Sequence, residues 1–267
     1  MDSDTFFAQN SLFTGTDWYV FRRTHGEAAK STAEQLLRYY AAKKRIIKVR
    51  KELYAVVQPG TEPERTDIDP FVVCMKAVDD AVVAYHAALE FHGQAYSLHQ
   101  EFQFVTGHHL KPFFFQNLRF RPVLAPKALR DGNELNAETQ KRERGLFTVL
   151  VTNRERTLVD CLDRIELAGG WEEAWRSLTA ASVYDIDRIV AYAGKLTNAT
   201  TAARVGFFLE FNRQALAVSD KMLARLETMR PRQTHYLDSK RTSGKYVARW
   251  RLIVPPEVLT QQWETIR

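Results

Sequence analysis

The sequence predicts an α+β fold with two domains of unequal size. Its 267 residues exceed one small domain, and a hydrophobic content of 45% supplies enough apolar surface for real cores. Apolar residues recur at helical spacing near the N-terminus and after residue 153, whereas residues 101–106, 117–124 and 146–152 alternate as strands do. We therefore predict an N-terminal helical domain with a hairpin, followed by a larger mixed α/β domain with a small sheet and a cluster of helices.

The N-terminal segment predicts three helices in succession. Residues 3–13 and 17–25 have helical patterns and are separated by Thr14-Gly15-Thr16, which predicts a break and a cap. Ser31 and Glu34 have the spacing of a capping box, in which the hydroxyl and the carboxylate bind backbone amides of the first turn. A third helix is therefore expected to begin at Ser31.

The third predicted helix has two different faces. The face expected to pack carries Ala33, Leu36, Leu37, Tyr40 and Ala41. The opposite face is free to touch a partner and carries Thr32, Gln35, Arg38, Tyr39, Ala42 and Lys43. Residues 45–50 and 53–57 then predict a β-hairpin around Lys51-Glu52. Three helices followed by a basic hairpin are typical of a winged helix-turn-helix, which we predict for residues 1–58.

Charge points to nucleic acid as the partner of this domain. Residues 22–51 contain ten Lys or Arg residues and two acidic residues, in a chain of net charge +6. Phosphate neutralisation favours such clustering. The helix residues expected to approach the groove are Thr32, Gln35, Arg38 and Tyr39, and those expected to contact phosphates are Lys43, Lys44, Lys48, Arg50 and Lys51. A solvated helix face or a protein-interaction module remains open as an alternative.

The rest of the chain predicts a second domain, residues 69–267, after a Pro- and Gly-containing linker at residues 59–68. Asp69-Pro70 predicts a helix start, and residues 129–144 predict a polar surface loop or hairpin excursion. Several helices should follow, two of them capped by Asn153 and Asp185, with others over residues 200–217 and 219–229. Residues 234–237 and 245–254 predict a closing hairpin.

Other function classes find little support. The acidic N-terminus lacks the pattern of a signal peptide and no apolar run reaches the length of a membrane span, so a cytoplasmic protein without membrane contact is expected. Cys74 and Cys161 predict buried reduced thiols.

The histidine spacings match no metal-ligand pattern, and no Walker loop, GxSxG or GxGxxG is present. We expect no cofactor, no metal and no enzymatic activity. A nuclease using Glu101, Asp160 or Asp163 stays open as an alternative.

An ordered set of segments resembles one bacterial family. These segments are the basic hairpin, Asp69-Pro70, Ala81 to Gly93, Arg154-Glu-Arg-Thr-Leu-Val-Asp160, Gly169-Gly170 and Arg204-Val-Gly-Phe-Phe-Leu-Glu210. Together, over roughly residues 14–254, they resemble the AbiEi-type antitoxins of the AbiE type IV toxin-antitoxin systems. Members commonly have Arg-Gly before the Leu/Val-Tyr pair of the hairpin, where this sequence has Lys51-Glu52.

The resemblance implies a cytoplasmic bacterial antitoxin that also represses its own operon. It would bind inverted repeats in double-stranded operator DNA, with self-association on DNA as one way to match the repeats. It would oppose a nucleotidyltransferase toxin of a phage-defence system without a stable complex. Four residues of the resembling segments are candidates for the antitoxin role: Arg154, Arg156, Asp160 and Arg204. A transcription factor whose second domain senses a ligand remains the other main possibility.

Overall fold

The computed structural model of the protein describes residues 3–26, 29–180, 183–238 and 241–263. Helices and short strands occur along all of these segments, which confirms the predicted α+β fold class. The chain divides into two compact units, each built from separate segments. Unit 1 comprises residues 1–83, 100–123 and 141–150, and unit 2 comprises residues 84–99, 124–140 and 151–267.

The predicted linker, residues 59–68, belongs to unit 1. Pro63–Arg65 forms a 3-10 turn, and Thr66 is buried. The side-chain amide of Gln116 donates to the Thr66 carbonyl over 2.7 Å, so this segment is held in place. The division into units does not follow the domain bounds predicted from composition, 1–58, 59–68 and 69–267, and those bounds stay a prediction.

The N-terminal part of unit 1 combines three helices with a three-stranded antiparallel sheet. Its elements are α1 (Ser3–Gln9), β1 (Leu12–Thr14), α2 (Gly15–Thr24), α3 (Lys30–Ala42), β2 (Ile46–Arg50) and β3 (Leu53–Val56). Strand β3 lies in the middle, between β1 and β2. The predicted third helix and hairpin are both present at the expected residues.

Strand β1 corrects the prediction of one helix over residues 3–13. Helix α1 ends at Gln9, and the Asn10 side chain donates to the Phe6 carbonyl over 2.9 Å at this point. Leu12 and Phe13 then pair with Ala55 and Tyr54 of β3. A three-residue strand depends on such a distant partner, so the local sequence pattern does not show it.

Helix capping differs from the prediction at one of two sites. Thr14 forms a true capping box with Asp17 at the start of α2: the Thr14 hydroxyl accepts from the Asp17 amide, and the Asp17 carboxylate accepts from the Thr14 amide. The capping box predicted at Ser31 and Glu34 is wrong. Helix α3 begins one residue earlier with Ala29 at its N-cap, which places Ser31 inside the first turn.

Replacing Thr14 with alanine should destabilise unit 1 by about 1 kcal/mol, because the Asp17 amide loses its side-chain acceptor. Urea denaturation of the wild-type and variant proteins measures this difference. Thr32→Ala is the matched control, since Thr32 is exposed inside α3 and is not its cap. Equal losses in the two variants would contradict the role of Thr14.

A cluster of aromatic side chains forms the core beneath α3. Trp18 is fully buried, stacks on Phe7 at 5.5 Å between ring centroids and meets Phe6 edge-on at 5.1 Å. Its indole Nε1 donates to the Ala33 carbonyl over 3.0 Å. The core therefore contacts α3 through both apolar packing and a buried hydrogen bond.

The middle of the chain forms a six-stranded sheet with the order β6-β7-β5-β4-β9-β8. The elements here are α4 (Pro70–Ala77), β4 (Val82–Val83), α5 (Tyr85–Phe91), β5 (Glu101–Thr106), β6 (Phe113–Phe115), β7 (Leu118–Leu124), α6 (Lys127–Asp131), β8 (Thr139–Arg144) and β9 (Phe147–Thr152). The predicted cap at Asp69 and the three predicted strands are confirmed. Strand β6 has no counterpart in the prediction, and the predicted excursion at residues 129–144 contains the exposed edge strand β8.

Helices dominate the remainder, which lies in unit 2. The elements are α7 (Arg154–Asp163), a 3-10 turn (Ile165–Leu167), α8 (Trp171–Ala180), α9 (Ile186–Lys195), α10 (Ala199–Phe211), α11 (Asp220–Met229), β10 (His235–Tyr236), β11 (Lys245–Val247), β12 (Leu252–Val254) and α12 (Pro256–Thr260). The side chains of Asn153 and Asp185 cap their helices as predicted, and the Ser219 side chain caps α11. Buried residues of these helices and strands share one apolar core.

Two predictions for unit 2 need correction. Helix α10 ends at Phe211, six residues before the predicted end at Ala217, and a turn follows. The predicted closing hairpin is instead a three-stranded sheet in which β12 pairs antiparallel with β11 and parallel with β10. A turn between β11 and β12 divides the segment that the pattern predicts as one strand, and Arg251 has a positive φ of 53° there.

Two smaller predictions concern the membrane and the cysteines. No helix among the described residues has the length and apolar character to cross a bilayer. Cys74 and Cys161 are free thiols and fully buried, as predicted. Burial raises the pKa of both thiols well above the ordinary value, so neither has the thiolate character of a reactive cysteine.

Candidate nucleic-acid interface

Helix α3 presents a polar face to solvent. The predicted outward residues are all exposed: Thr32, Gln35, Arg38, Tyr39, Ala42 and Lys43. Ala33 and Leu37 are buried and Leu36 and Tyr40 are half-buried, which confirms the predicted packing face apart from Ala41, which is exposed. Tyr39 keeps 54% of its surface exposed, although its ring lies 6.0 Å from Lys43 Nζ and meets the Tyr40 ring at 5.4 Å.

The packed face of α3 is tied to the aromatic core. The Ala33 carbonyl accepts the Trp18 indole hydrogen bond, and the Tyr40 ring meets Phe7 and Trp18 edge-on at 5.0 and 6.0 Å. These contacts fix the rotation of α3 about its axis. Gln35, Arg38 and Tyr39 are therefore held facing outward by the core behind them.

The hairpin β2–β3 adds exposed lysines close to the end of α3. Lys44, Lys48 and Lys51 are exposed, as is Lys43 at the end of the helix. Among the described residues, no acidic side chain pairs with these lysines or with Arg38. Unpaired surface cations retain their full attraction for an external anion, which an internal ion pair would reduce.

The hairpin turn has an unusual backbone conformation at Glu52. Glu52 has a φ of +61°, in the left-handed region that glycine adopts without strain. The Glu52 carbonyl accepts from the Gly15 amide over 3.0 Å, so the turn is fastened to the start of α2. A glutamate thus occupies a conformation that glycine adopts more readily.

Two arginines of this region are engaged within unit 1. Arg50, predicted as a phosphate contact, donates to the Ala77 carbonyl over 3.2 Å and lies 5.0 Å from the Phe113 ring centroid. Burial lowers the pKa of its guanidinium. Arg45 pairs with Asp4 and lies over the Tyr40 ring. Arg50 therefore does not project from the hairpin with Lys48 and Lys51, and its contact with DNA stays a prediction.

A groove between α2, α3 and the hairpin has mixed charge. Arg38 and Lys48 line it together with Glu34, Glu52 and Tyr54. Burial, with Glu52 and Glu34 nearby, raises the pKa of the Tyr54 hydroxyl, so this group remains a hydrogen-bond donor. The exposed cations therefore border a groove that also contains two carboxylates.

The chain is similar in fold to the RV2827C protein of Mycobacterium tuberculosis. Its crystal structure matches with a TM-score of 0.60 and 13% identity, over 94% of this chain and 88% of that chain. No protein-family model matches the sequence, and no curated protein matches it. At this identity the similarity to the RV2827C protein shows a shared fold and nothing about activity.

The segment Arg154 to Asp160 contains a buried ion pair. Arg156 is fully buried, and its Nε donates to the Asp160 carboxylate over 3.1 Å. The Asp160 carboxylate also accepts from the Tyr192 hydroxyl over 2.9 Å, and Arg156 Nη1 donates to the carbonyls of Leu135 and Ala137. Burial alone would lower the pKa of Arg156, but the adjacent Asp160 raises it above its ordinary value. The pair connects α7 to α9 and to the chain before β8.

The other two antitoxin candidates differ in exposure. Arg154 is exposed at the start of α7 and is accessible to a partner. Arg204 of α10 donates from Nη1 to the carbonyls of Leu162 and Asp163, over 3.2 and 2.7 Å. These bonds satisfy carbonyls at the C-terminal end of α7. Arg204 therefore links two helices, and of the four candidates only Arg154 is exposed.

The carboxylates of the nuclease alternative all have internal partners. Glu101 pairs with Arg119 and Arg121 over 2.8 and 3.3 Å, and Asp160 pairs with Arg156. Asp163 accepts hydrogen bonds from Asn198 and Thr201. Among the described residues, none of the three belongs to a group with metal-ligand spacing.

The fold does assemble a different cluster that sequence spacing did not reveal. His86 on α5, His99 before β5 and Glu173 on α8 bring ligand atoms within 4.8 Å of one another. The imidazole rings of His86 and His99 stack with centroids 3.6 Å apart. The only local signal is the i,i+4 spacing of His86 and Glu90, because the other members are distant in sequence.

Proposed function

We propose that the protein is a transcriptional autorepressor whose N-terminal part is a winged helix-turn-helix that binds double-stranded operator DNA. The order of α1, β1, α2, α3, β2 and β3, with β3 between the other two strands, supports this assignment. In such an arrangement α3 enters the major groove, and the hairpin lies along the backbone or the minor groove.

The single observation that carries the proposal is the exposed basic surface of α3 and the hairpin, whose cations form no ion pair with an acidic side chain in the described part of the chain. Its members are Arg38, Lys43, Lys44, Lys48 and Lys51. Gln35 and Arg38 lie on the outward face with side chains long enough for base edges, and each good bidentate contact discriminates between bases by about 1–3 kcal/mol. The lysines would contact phosphates, which set orientation without reading sequence.

Removing three hairpin lysines should weaken DNA binding and make the affinity depend less steeply on salt concentration. We expect Lys44→Ala/Lys48→Ala/Lys51→Ala to reduce the slope of log K against log salt by about 0.9 per lost phosphate contact, or roughly 2.7 in total. Fluorescence anisotropy with labelled DNA from upstream of the protein's own operon measures both affinity and slope. Arg50 is left intact because it packs within unit 1.

The control carries the same change in charge elsewhere. Lys111, Lys221 and Lys245 are exposed and lie outside α3 and the hairpin, so their triple alanine variant should keep the wild-type slope. Absence of DNA binding by the wild-type protein would refute the proposal. An equal slope in both triple variants would remove the hairpin from the interface.

We further propose that the protein acts as an antitoxin against a nucleotidyltransferase, on the strength of the AbiEi-like segments. Co-expression with a nucleotidyltransferase encoded next to its gene should restore growth, and size-exclusion chromatography should show no stable complex. Absence of such a gene would favour a ligand-sensing second domain instead. If the operator contains inverted repeats, titration should give two copies per site.

A further inference from the structure

We propose that His86, His99 and Glu173 of unit 2 bind one divalent transition-metal ion, with zinc as the best fit. Two imidazoles and one carboxylate form a common zinc ligand set in proteins. This inference goes beyond DNA binding and does not depend on it.

The carboxylates around His86 are placed as they are around a metal-bound histidine. Its Nε2 lies 3.1 Å from Glu173 Oε1, and its Nδ1 lies 3.0 Å from Glu90 Oε1. Metal-ligating histidines usually direct the second ring nitrogen at a carboxylate, which fixes the tautomer. Glu90 stands in that position when Nε2 faces the ion.

One buried nitrogen of this cluster lacks a hydrogen bond. His86 is fully buried, and its Nδ1 has no partner with hydrogen-bond geometry, although Glu90 Oε1 is close. A proton on Nε2, donated to Glu173, leaves Nδ1 facing the Glu90 carboxylate with a lone pair. When a metal ion binds Nε2, the imidazole carries its proton on Nδ1 instead. After a small rotation of the ring, Nδ1 can donate this proton in a hydrogen bond to Glu90.

The negative charge of the neighbouring carboxylates also favours a bound metal cation. The side chains of Glu90 and Glu173 are each only 8% exposed, and no lysine or arginine in the described part of the chain pairs with either. Two nearly buried carboxylates are costly without a compensating charge. A divalent cation beside two neutral imidazoles balances both.

Glu173 is held in position by several donors. The Ser97 hydroxyl and amide donate to it over 2.6 and 3.0 Å, and the Ser177 hydroxyl donates over 3.1 Å. The carboxylate is therefore fixed in orientation, as a ligand must be.

Gly169 leaves the space that the cluster needs. A Cβ at this position would lie 2.6 Å from Glu173 Cγ and 2.8 Å from His99 Cε1, and the φ of Gly169 is +83°.

The stacked rings of His86 and His99 are parallel to within 5°, so their lone pairs do not converge on one point. His99 must rotate about its side-chain bonds to bind the ion. Because His99 is partly exposed, its ring has space to rotate and the ion has a path from solvent.

The 267-residue chain, treated with a chelator and then titrated with ZnCl₂, tests the proposal. Calorimetry and elemental analysis should give one zinc per chain, and cobalt should give the visible absorption of a low-symmetry bound ion. His99→Ala should weaken zinc binding by about 10-fold or more and abolish the zinc-induced rise in Tm. His99 is partly exposed, so this variant removes a ligand without opening the core.

The matched control is His109→Ala, which removes an exposed histidine outside the cluster and should leave zinc affinity unchanged. Glu173→Gln keeps the shape of the side chain and should weaken zinc binding as His99→Ala does. Less than one tenth of an ion per wild-type chain would overturn the proposal. So would wild-type zinc affinity in folded His99→Ala and Glu173→Gln variants, as judged by circular dichroism.

Discussion

Replacing Asp160 with alanine should lower the free energy of unfolding of unit 2 by about 3–5 kcal/mol, because the Arg156 guanidinium is left buried without its counter-charge. Arg156 has no exposed surface, and Tyr192 would lose its hydrogen-bond acceptor as well. Urea denaturation followed by circular dichroism measures the loss.

An exposed ion pair with the same i,i+4 spacing provides the control. Glu172 and Arg176 pair over 3.0 Å with side chains 44% and 42% exposed, so Glu172→Ala should cost no more than about 0.5 kcal/mol. Similar losses for Asp160→Ala and Glu172→Ala would contradict the role of burial. Replacing Arg156 and Asp160 together by apolar residues of similar volume should recover much of the stability.

The same pair constrains the proposed antitoxin role. A side chain without exposed surface does not meet a partner protein unless unit 2 opens. Loss of toxin neutralisation in Asp160→Ala would thus be expected to follow from lost stability. Arg154, exposed at the start of the same helix, is the residue of this segment whose replacement tests a direct contact.

Replacing Trp18 with alanine should cost unit 1 about 3–5 kcal/mol, because a large ring leaves a cavity among packed aromatic side chains. The Ala33 carbonyl would also lose its buried donor. We expect DNA affinity to fall with stability, since this core holds the outward face of α3 in place. Denaturation and anisotropy titrations of the same preparation measure both effects.

Trp18→Phe separates the two contributions. Phenylalanine keeps most of the packing and loses the hydrogen bond to Ala33, which should cost about 1–3 kcal/mol through the unsatisfied carbonyl and the smaller ring. A Trp18→Ala protein with wild-type stability and DNA affinity would show that the aromatic core does not position α3.

Local patterns predict much of this fold. The caps at Asn153 and Asp185 and the two faces of α3 depend on residues within one or two turns, and the structure confirms them apart from the exposed Ala41. Strand β1 depends on pairing with β3, and the parallel pairing of β12 with β10 joins segments that the predicted hairpin pairs otherwise. Such pairings join distant segments, so neither propensity nor periodicity reports them.

The candidate sites also include features that local sequence predicts and features that depend on distant segments. Helical periodicity identifies the exposed side chains of α3, because exposure there depends only on position around the helix. The engagement of Arg50 depends on Ala77 and Phe113, which belong to later elements. His86, His99 and Glu173 come together only when α5 and α8 are in place, so their spacing in the chain carries no ligand pattern.

Glu52 has one more consequence for the proposed contact with DNA. Its carboxylate lies close to Gly15 and lines the same groove as Arg38 and Lys48. If this groove faces DNA as proposed, the negative charge opposes phosphate groups at the operator and at random sequences alike, because phosphates carry no sequence information. One acidic turn residue would therefore hold down the overall affinity that the neighbouring cations supply, and so shorten every stay on the duplex.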